Sequence, residues 1–325
     1  KPYAIEAGRL ALQCHFDALG ICGTAEEADT PFVYRMRYAL PEPAPLVSIV
    51  IPTKDHIETL DACVMSIAQK ATYTNYEIVL VENNSEAPET FAYYESLPER
   101  VAVASDGKGA VRVVYWPGEF NYSKIINFGV EHAKGDYLLL LNNDTEVISP
   151  DFIEEMMGYL QRPDAGVVGA KLYFADHLVQ HAGILVGVRG ALAHANQDFS
   201  AKREGYLARA VRPGNFSAVT GACQMVRRDV FERVGGYNEE FAVGFNDADF
   251  CLRVWEAGYR TIFTPYAGLY HYEFTSRGRE ETNEEKLRRW KREQALFTQR
   301  WPEFFLTGDP WLGPNLSAES EYFSI

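Results

Sequence analysis

A short apolar run followed at once by polar residues constrains this chain more than any other stretch. Residues Tyr137–Leu141 read YLLLL, and Asn142, Asn143 and Asp144 follow directly. Such a run is typical of a strand buried on both faces of a sheet, whereas a carboxylate cannot enter that core without a partner. The stretch predicts a central strand whose carboxyl end binds a ligand, as in open α/β folds. A polar turn without a ligand is the alternative interpretation of this stretch alone.

Strands and helices alternate at close spacing through the first half of the chain. Apolar runs predict strands at 46–51, which Pro52 would end, 76–81 and 111–115, and helical patterns begin near residue 55 and cover 86–97 and 122–133. This alternation predicts a mostly parallel sheet with helices on both faces. Parallel strands end at one edge, so the polar residues that follow them at 53–55, 82–84 and 142–144 should converge. Convergence favours a ligand site over a turn.

The flanking segments are less regular. Residues 1–45 are predicted to be an appendage with a helix at 5–19, a loop at 20–31 and a proline-rich linker at 41–45. The second half predicts helices at 150–160 (with Ser149 as N-cap), 229–234, 247–257 and 284–300, strands at 167–172, 184–188, 218–226 and 259–264, and a loop-rich tail beyond 302. We therefore divide the chain into 1–45, a main domain at 46–280 with halves 46–147 and 148–280, and 281–325.

Bulk composition excludes some classes of protein. The 325 residues are 47% hydrophobic and 23% charged, which is typical of a globular protein. The net charge of -14 argues against a nucleic-acid partner, and no apolar run is long enough to predict a membrane span. Five cysteines without a CxxC pair predict reduced thiols, with Cys63, Cys223 and Cys251 in the core, and a cytoplasmic location. A first residue Lys1 suggests a piece of a longer chain.

Several common catalytic motifs are absent from the sequence. It has no GxGxxG after a strand, no GxxxxGK[ST] loop, no GxSxG and no HExxH. Two other groups of polar residues remain besides the polar strand ends. Asp247 and Asp249 open a predicted helix, where an aspartate can be an N-cap. Two aspartates one residue apart cannot cap in the same way, so one is expected to face a cleft and could act as a general base.

The other group is His271 with Arg277. A neutral imidazole is a good metal ligand, and a guanidinium pairs with phosphate through two hydrogen bonds. A satisfied structural histidine at a strand end is the alternative.

The order of these motifs resembles that of the family-2 glycosyltransferases, which bind nucleotide sugars and have the GT-A fold. The resemblance covers about residues 46–280. The matching segments are VSIVIPTKD at 47–55, VENNS at 81–85, NNDTEV at 142–147, VTGACQMVRR at 219–228, NDADFCLR at 246–253 and HYEFTSRG at 271–278. Together with QHAG at 180–183, the pattern is most similar to bacterial rhamnosyltransferases and related O-antigen or capsule enzymes.

The resemblance implies an α/β GT-A fold: a Rossmann-like, mostly parallel sheet flanked by helices, a smaller mixed acceptor-side region and a C-terminal helix. It implies an inverting transferase with a dTDP- or UDP-sugar donor. Asp144 and His271 would hold Mg²⁺ or Mn²⁺, and Asp247 would be the catalytic base. The donor-binding residues would be Pro52, Thr53, Asp55, Glu82, Asn84, Lys124, Asn143, Asp144 and Arg277. The acceptor-side residues would be His181, His194, Thr220, Gly221 and Asp249.

The implied partners are the nucleotide sugar and a glycan acceptor, including a lipid-linked one. The implied location is the cytoplasm, including the inner face of the plasma membrane, which other modules of a longer chain could contact. Two residues depart from the family pattern: Asn142 replaces the first aspartate of the metal motif, and Asn246 replaces the glutamate before Asp247.

Three alternatives remain. A sugar nucleotidyltransferase would need a basic, glycine-rich loop, but residues 47–56 offer only Lys54. A non-catalytic carbohydrate-binding or scaffold module would explain the two asparagines. A processive synthase is suggested by Arg289 and Trp290, but helix packing explains Trp290.

Overall fold

The computed structural model describes residues 2–272 and 284–325. These residues form nine α-helices and fourteen strands, with two short 3₁₀ turns at Val188–Gly190 and Tyr206–Ala208. The strands are β1 Gly23–Glu27, β2 Tyr34–Tyr38, β3 Val47–Thr53, β4 Tyr76–Glu82, β5 Gly109–Tyr115, β6 Tyr137–Leu141, β7 Thr145–Val147, β8 Ala165–Tyr173, β9 Val179–His181, β10 Ile184–Val186, β11 Leu192–His194, β12 Gly214–Phe216, β13 Cys223–Arg227 and β14 Arg260–His271. The helices are α1 Pro2–Leu19, α2 Ile57–Lys70, α3 Pro88–Ala104, α4 Tyr122–His132, α5 Phe152–Leu160, α6 Arg228–Arg233, α7 Asn246–Glu256, α8 Glu284–Arg300 and α9 Pro302–Thr307.

A ten-stranded sheet within residues 2–272 is the frame of the molecule. Its order is β12-β14-β8-β13-β6-β3-β4-β5, with β7 on β14 and β9 on β8. Strands β3, β4, β5 and β6 pair in parallel, and so do β8 and β14, while β13 runs antiparallel between β6 and β8. Six strands therefore run in one direction, and the predicted mostly parallel sheet is confirmed.

Alternate residues of the central strands pack into different layers. Leu138 and Leu140 of β6 lie in one hydrophobic cluster with Ile125 and Ile126 of α4. Leu139 and Leu141 lie in a second cluster with residues of α2, α3 and α5. Every residue of β6 is buried, as the sequence predicts for a strand covered on both faces.

The predicted loop at 20–31 is wrong. Residues Gly23–Glu27 form β1, which pairs antiparallel with β2 and packs against α1. Only Ala25 of β1 is fully buried, so the sequence has no apolar alternation that would reveal the strand. The boundaries at 45, 147 and 280 stay predictions.

Five smaller predictions also need correction. Strand β3 continues through Pro52, because beyond Val50 it pairs with β4 alone, and a proline is tolerated at such an edge. Strand β13 begins only at Cys223. Strand β14 extends past Pro265 to His271, because an irregularity in its pairing between Phe263 and Gly268 accommodates the proline. Helix α5 starts at Phe152 without a side-chain cap, so Ser149 is not its N-cap. The tail beyond 302 opens with α9.

The cysteines are unpaired, as the sequence predicts. All five cysteines are free, and Cys63, Cys223 and Cys251 are buried. Across residues 2–272 and 284–325, no helix has the length and apolar character needed to cross a membrane.

Arg35 links the N-terminal hairpin to the main sheet. Its guanidinium lies 2.8 Å from both Asp151 and Glu155 of the α5 region. The Glu155 carboxylate is buried, and burial raises its pKa even though Arg35 opposes the shift. Arg37, by contrast, makes exposed ion pairs with Glu26 and Asp151.

We expect Arg35→Gln to lower the free energy of unfolding by about 3 kcal/mol, because it leaves the buried Glu155 charge without its counter-ion. Arg37→Gln is the matched control and should cost less than about 1 kcal/mol, since its partners are solvated. Urea denaturation of both variants measures the difference. Equal losses would show that the buried pair does not hold the hairpin in place.

Candidate active site

A cavity of about 920 Å³ opens at the carboxyl edge of the sheet. The three polar strand ends meet there, and further walls come from the start of α7, the end of β14 and from α8. The strand-end residues that line it are Thr53, Lys54, Asp55, Asn83, Asn84, Asn142, Asn143 and Asp144. The predicted convergence of the strand ends is therefore observed.

Asp144 and His271 meet because two distant segments pair as strands. Strand β7 runs antiparallel to β14, with Thr145 opposite His271, and the Tyr272 N–H donates to the Asp144 carbonyl at 2.8 Å. This ladder places Asp144 Oδ1 3.1 Å from His271 Nε2, with both side chains at most 10% exposed.

Gln180 fixes the orientation of the His271 ring. The Gln180 side-chain nitrogen donates to the His271 carbonyl at 3.3 Å, and its Oε1 lies 2.6 Å from His271 Nδ1. Because Oε1 can only accept, Nδ1 carries a proton, and the ring orientation directs Nε2 at Asp144 and the cavity. Asn142 Nδ2 lies 3.3 Å from the same ring nitrogen, Nε2.

This donor set fits a divalent cation. Two ligands at right angles, each about 2.0–2.2 Å from one cation, are separated by about 3 Å, and the Asp144–His271 spacing is 3.1 Å. The described residues contain no cluster of three or more His, Cys, Asp or Glu side chains suited to a metal. A site with two protein ligands suits a cation whose other ligands are phosphate oxygens and water.

Asp247 faces the cavity from the first turn of α7. Its Oδ2 accepts the Gly221 N–H at 2.9 Å and its Oδ1 accepts the Ala248 N–H at 2.8 Å. A Cβ on Gly221 would lie 3.1 Å from the Tyr237 hydroxyl and 3.4 Å from the Asp247 Cβ. A glycine at 221 thus permits the close approach that holds this carboxylate.

Asp249 does not line the cavity, although the sequence placed it on the acceptor side. Its carboxylate is fully buried, 2.8 Å from Arg253 Nε and 3.0 Å from Arg300 Nε. It also accepts the Trp301 indole N–H at 3.1 Å. The structure therefore uses Asp249 to join α7 to α8. Neither aspartate caps α7, whose N-cap position is Phe245.

The other donor-side residues divide into two groups. Pro52, Thr53, Asp55, Asn84 and Asn143 line the cavity. Glu82 and Lys124 do not: Glu82 is buried and accepts the Ser85 N–H, and Lys124 is exposed on α4. Arg277 lies outside the described residues.

Asp55 also supports the start of α3. Its carboxylate accepts the N–H groups of Glu86 and Ala87 and the Thr90 hydroxyl at 3.1–3.2 Å. Burial opposes ionisation of Asp55, but these hydrogen bonds lower its pKa overall.

The acceptor-side residues form two layers. His194, Thr220 and Gly221 line the cavity, while His181 lies fully buried beneath them. His181 Nε2 accepts the N–H groups of Gly183 and Thr220, and its Nδ1 lies 3.2 Å from His194 Nδ1. Burial, with His194 and His271 nearby, lowers the pKa of His181 well below its usual value. His181 is therefore neutral and supports the residues above it.

Sequence reasoning missed several lining residues, including Gln180, Tyr122, Arg289, Trp290 and Glu293. Gln180 belongs to the QHAG segment at 180–183, and the resemblance of that segment to the family pattern was the signal that could have indicated it. No sequence signal indicated Glu293, because a glutamate in a charged helix normally faces solvent. Its carboxylate is instead buried and accepts the N–H groups of Ala242, Val243 and Gly244 at 2.8–3.3 Å.

The fold is that of the GT-A glycosyltransferases. The mannosyltransferase PcManGT from Pyrobaculum calidifontis, solved with GDP-Man and Mn²⁺, superposes with a TM-score of 0.57 at 16% identity. The match covers 94% of this chain and 77% of that one. A likeness at this identity establishes the architecture, which agrees with the fold predicted from the sequence.

The chain belongs to glycosyl transferase family 2, whose family model matches residues 48–235. It is 40% identical over its whole length to the uncharacterized protein y4gI of Sinorhizobium fredii, of which it spans 35%. It is 35% identical over 97% of its length to the O-antigen biosynthesis protein RfbC of Myxococcus xanthus, of which it spans 23%. A rhamnosyltransferase of Mycobacterium tuberculosis that acts on N-acetylglucosaminyl-diphospho-decaprenol is 27% identical over 45% of this chain and 50% of its own length.

We expect Glu293→Gln to loosen the cavity wall at 242–244, because the carboxamide nitrogen cannot accept the N–H groups that the carboxylate accepts. The free energy of unfolding should fall by about 1–3 kcal/mol, and amide exchange at 242–244 should accelerate. Glu284→Gln, at the exposed start of the same helix, is the control. Unchanged exchange at 242–244 would refute this role for Glu293.

Proposed function

We propose that this chain is an inverting, metal-dependent transferase that moves a sugar from a nucleotide diphosphate sugar to a hydroxyl of a growing bacterial surface glycan. One observation carries the proposal. The Asp144–His271 pair and the Asp247 carboxylate line the same cavity, whose volume of about 920 Å³ is within the range of small-ligand sites. A cation and diphosphate at the first pair would share this space with a sugar and an acceptor hydroxyl near the second.

Asp144 and His271 would hold Mg²⁺ or Mn²⁺, which neutralises the charge that develops on the departing diphosphate. Residues of the β3, β4 and β6 ends would bind the nucleoside and orient the phosphates. Gln180 would keep the His271 lone pair directed at the metal site, as outer-sphere partners of metal ligands do.

Asp247 would accept the proton of the acceptor hydroxyl as its oxygen attacks the anomeric carbon. The new C–O bond forms on the face opposite the diphosphate, the bond to the diphosphate oxygen breaks, and a nucleoside diphosphate leaves. One such displacement inverts the anomeric configuration. The N–H groups of Gly221 and Ala248 fix the carboxylate for this step.

Rhamnose or another hexose is the proposed sugar, with a dTDP- or UDP-linked donor. The motif pattern and the RfbC and rhamnosyltransferase relatives support this choice. The acceptor would be a glycan, including a lipid-linked one, in the cytoplasm at the inner face of the membrane. Because the chain spans only 23–35% of its first two relatives, other modules of a longer protein would make any membrane contact.

A panel of nucleotide sugars tests the proposal. The chain is incubated with Mn²⁺, an acceptor extract and dTDP-rhamnose, UDP-glucose, UDP-galactose or GDP-mannose, and products are followed by chromatography and NMR. Release of a nucleoside diphosphate with an inverted glycoside supports it. In a parallel incubation with added pyrophosphate, formation of a nucleoside triphosphate and a sugar 1-phosphate would identify a nucleotidyltransferase. Donor binding without turnover would identify a binding module.

Asp247→Asn should lower kcat by about 10²–10⁴, the range of general-base assistance, and leave the dissociation constant of the donor unchanged. Glu256→Gln, at the exposed far end of α7, is the matched control and should retain full activity. Calorimetry with the donor and initial-rate kinetics provide the two measurements. Near-normal turnover of Asp247→Asn would remove Asp247 from the base role.

Asp144→Ala should abolish the Mn²⁺-dependent part of donor binding, and excess EDTA should stop transfer by the unsubstituted chain. Glu146→Gln is the control, since Glu146 bonds Lys70 and Tyr272 outside the cavity. Donor affinity is titrated with Mn²⁺ and with EDTA. If Asp144→Ala keeps the same metal dependence, or if turnover persists in EDTA, the assigned metal site is wrong.

A further inference from the structure

A second cavity, of about 520 Å³, lies at the opposite edge of the sheet. Arg260, the first residue of β14, lines it, whereas His271, the last, lines the candidate active site. The twelve residues of β14 give eleven rises of about 3.3 Å, so its two ends lie roughly 36 Å apart. The two cavities have no lining residue in common.

Guanidinium groups dominate the wall of this second cavity. Its lining includes Arg162, Arg209, Arg212 and Arg260 against a single carboxylate, Asp164. Four positive charges and one negative charge leave a local excess of three. The whole chain carries a net charge of -14, so this excess is a local feature and does not reflect the overall composition.

The one carboxylate is already engaged. Asp164 lies 3.1 Å from Arg162 Nε and 3.1 Å from Arg260 Nε. Within the described residues, neither Arg209 nor Arg212 forms an ion pair. Arg212 donates to the carbonyls of Leu207 and Pro213.

The Arg209 guanidinium stacks over two aromatic rings. Its guanidinium carbon lies 4.4 Å from the Phe323 ring centre and 5.1 Å from that of Phe216. Burial and the neighbouring Arg212 charge lower its pKa. Asp309 attracts Arg209, but its carboxylate oxygens accept the N–H groups of Val186 and Trp311. Asp309 therefore attracts Arg209 without contacting it, and the two adjacent, partly buried guanidinium groups form no ion pair within the described residues.

Aromatic side chains from three parts of the chain line the cavity as well, beside Pro213, Gly214, Asn215 and Ile262. Tyr38 belongs to the N-terminal hairpin, Tyr159 and Phe216 to the main body, and Trp311 to the C-terminal tail. Aromatic faces provide apolar surface on which the C–H face of a sugar ring can pack. Guanidinium groups provide paired donors that match a carboxylate or phosphate. A ligand that satisfies both is a sugar ring bearing an anion.

We propose that this second cavity binds an anionic sugar, a uronic acid or a sugar phosphate, with Arg209 and Arg212 on the anionic group and Trp311 against the ring. The volume falls within the range of sites for one small ligand. This site goes beyond the proposed transfer reaction and does not depend on it.

Binding of glucose 1-phosphate and of glucuronic acid, measured by calorimetry with and without UDP and Mn²⁺, tests the proposal. We expect at least one of them to bind, UDP to leave that binding unchanged, and Arg209→Gln/Arg212→Gln to weaken it at least tenfold, a factor of ten being about 1.4 kcal/mol. Preference for one probe assigns the anion as phosphate or carboxylate. Arg203→Gln is the matched control, because Arg203 stacks on Phe199 at 3.7 Å and lines neither cavity.

Trp311→Ala tests the same site without touching the segment that carries the two arginines. It should weaken glucose 1-phosphate and leave inorganic phosphate unchanged. Thermal melts of each variant verify folding. Equal binding of methyl glucoside, equal affinity for inorganic phosphate and glucose 1-phosphate, displacement by UDP, or full affinity in the double arginine variant would each overturn the proposal.

Discussion

A backbone ladder sets the geometry of the candidate active site. Three residues of β7 pair with the end of β14, and this pairing alone brings His271 beside the residue that precedes β7, Asp144. Register matters because successive strand residues face opposite sides, so a slip of one residue would turn His271 away from the cavity. The common direction of β3, β4 and β6 adds the wall formed by the polar strand ends. The candidate site residues Asp144 and His271 are thus placed by main-chain hydrogen bonds between strands.

Asp247 and Asp249 belong to one short motif but lie in different environments. They lie one residue apart on the same helix, yet Asp247 faces the cavity and Asp249 is enclosed by two arginines and an indole. A buried carboxylate is tolerated where such partners satisfy it. That clamp fixes α7 against α8 and thereby holds Asp247 in position at the cavity wall.

The sequence was informative where local pattern and tertiary role agree. Tyr137–Leu141 and Glu284–Arg300 have the predicted bounds, and the polar strand ends converge because parallel strands allow no other arrangement. Other features had no local signature. Strand β1 buries one residue. The burial of Asp249 depends on Arg300 and Trp301, and that of Glu293 on the loop at 242–244, each of which comes from a distant part of the chain. Such contacts depend on how distant segments pack together, so they cannot be predicted from the residues that neighbour each position in the sequence.

The region by which the family is recognised ends at residue 235, but the folded unit does not. Arg300 and Trp301 supply counter-ion and indole to Asp249, and Glu293 secures the loop before α7. A fragment ending at residue 235 would lose both Asp247 and His271. One ending at residue 280 would keep them, but the buried Asp249 carboxylate would lose Arg300 and Trp301 and retain only Arg253. Any transplant of this domain into another polypeptide must therefore carry residues through 301 to retain the contacts that hold α7 and the loop at 242–244 in place.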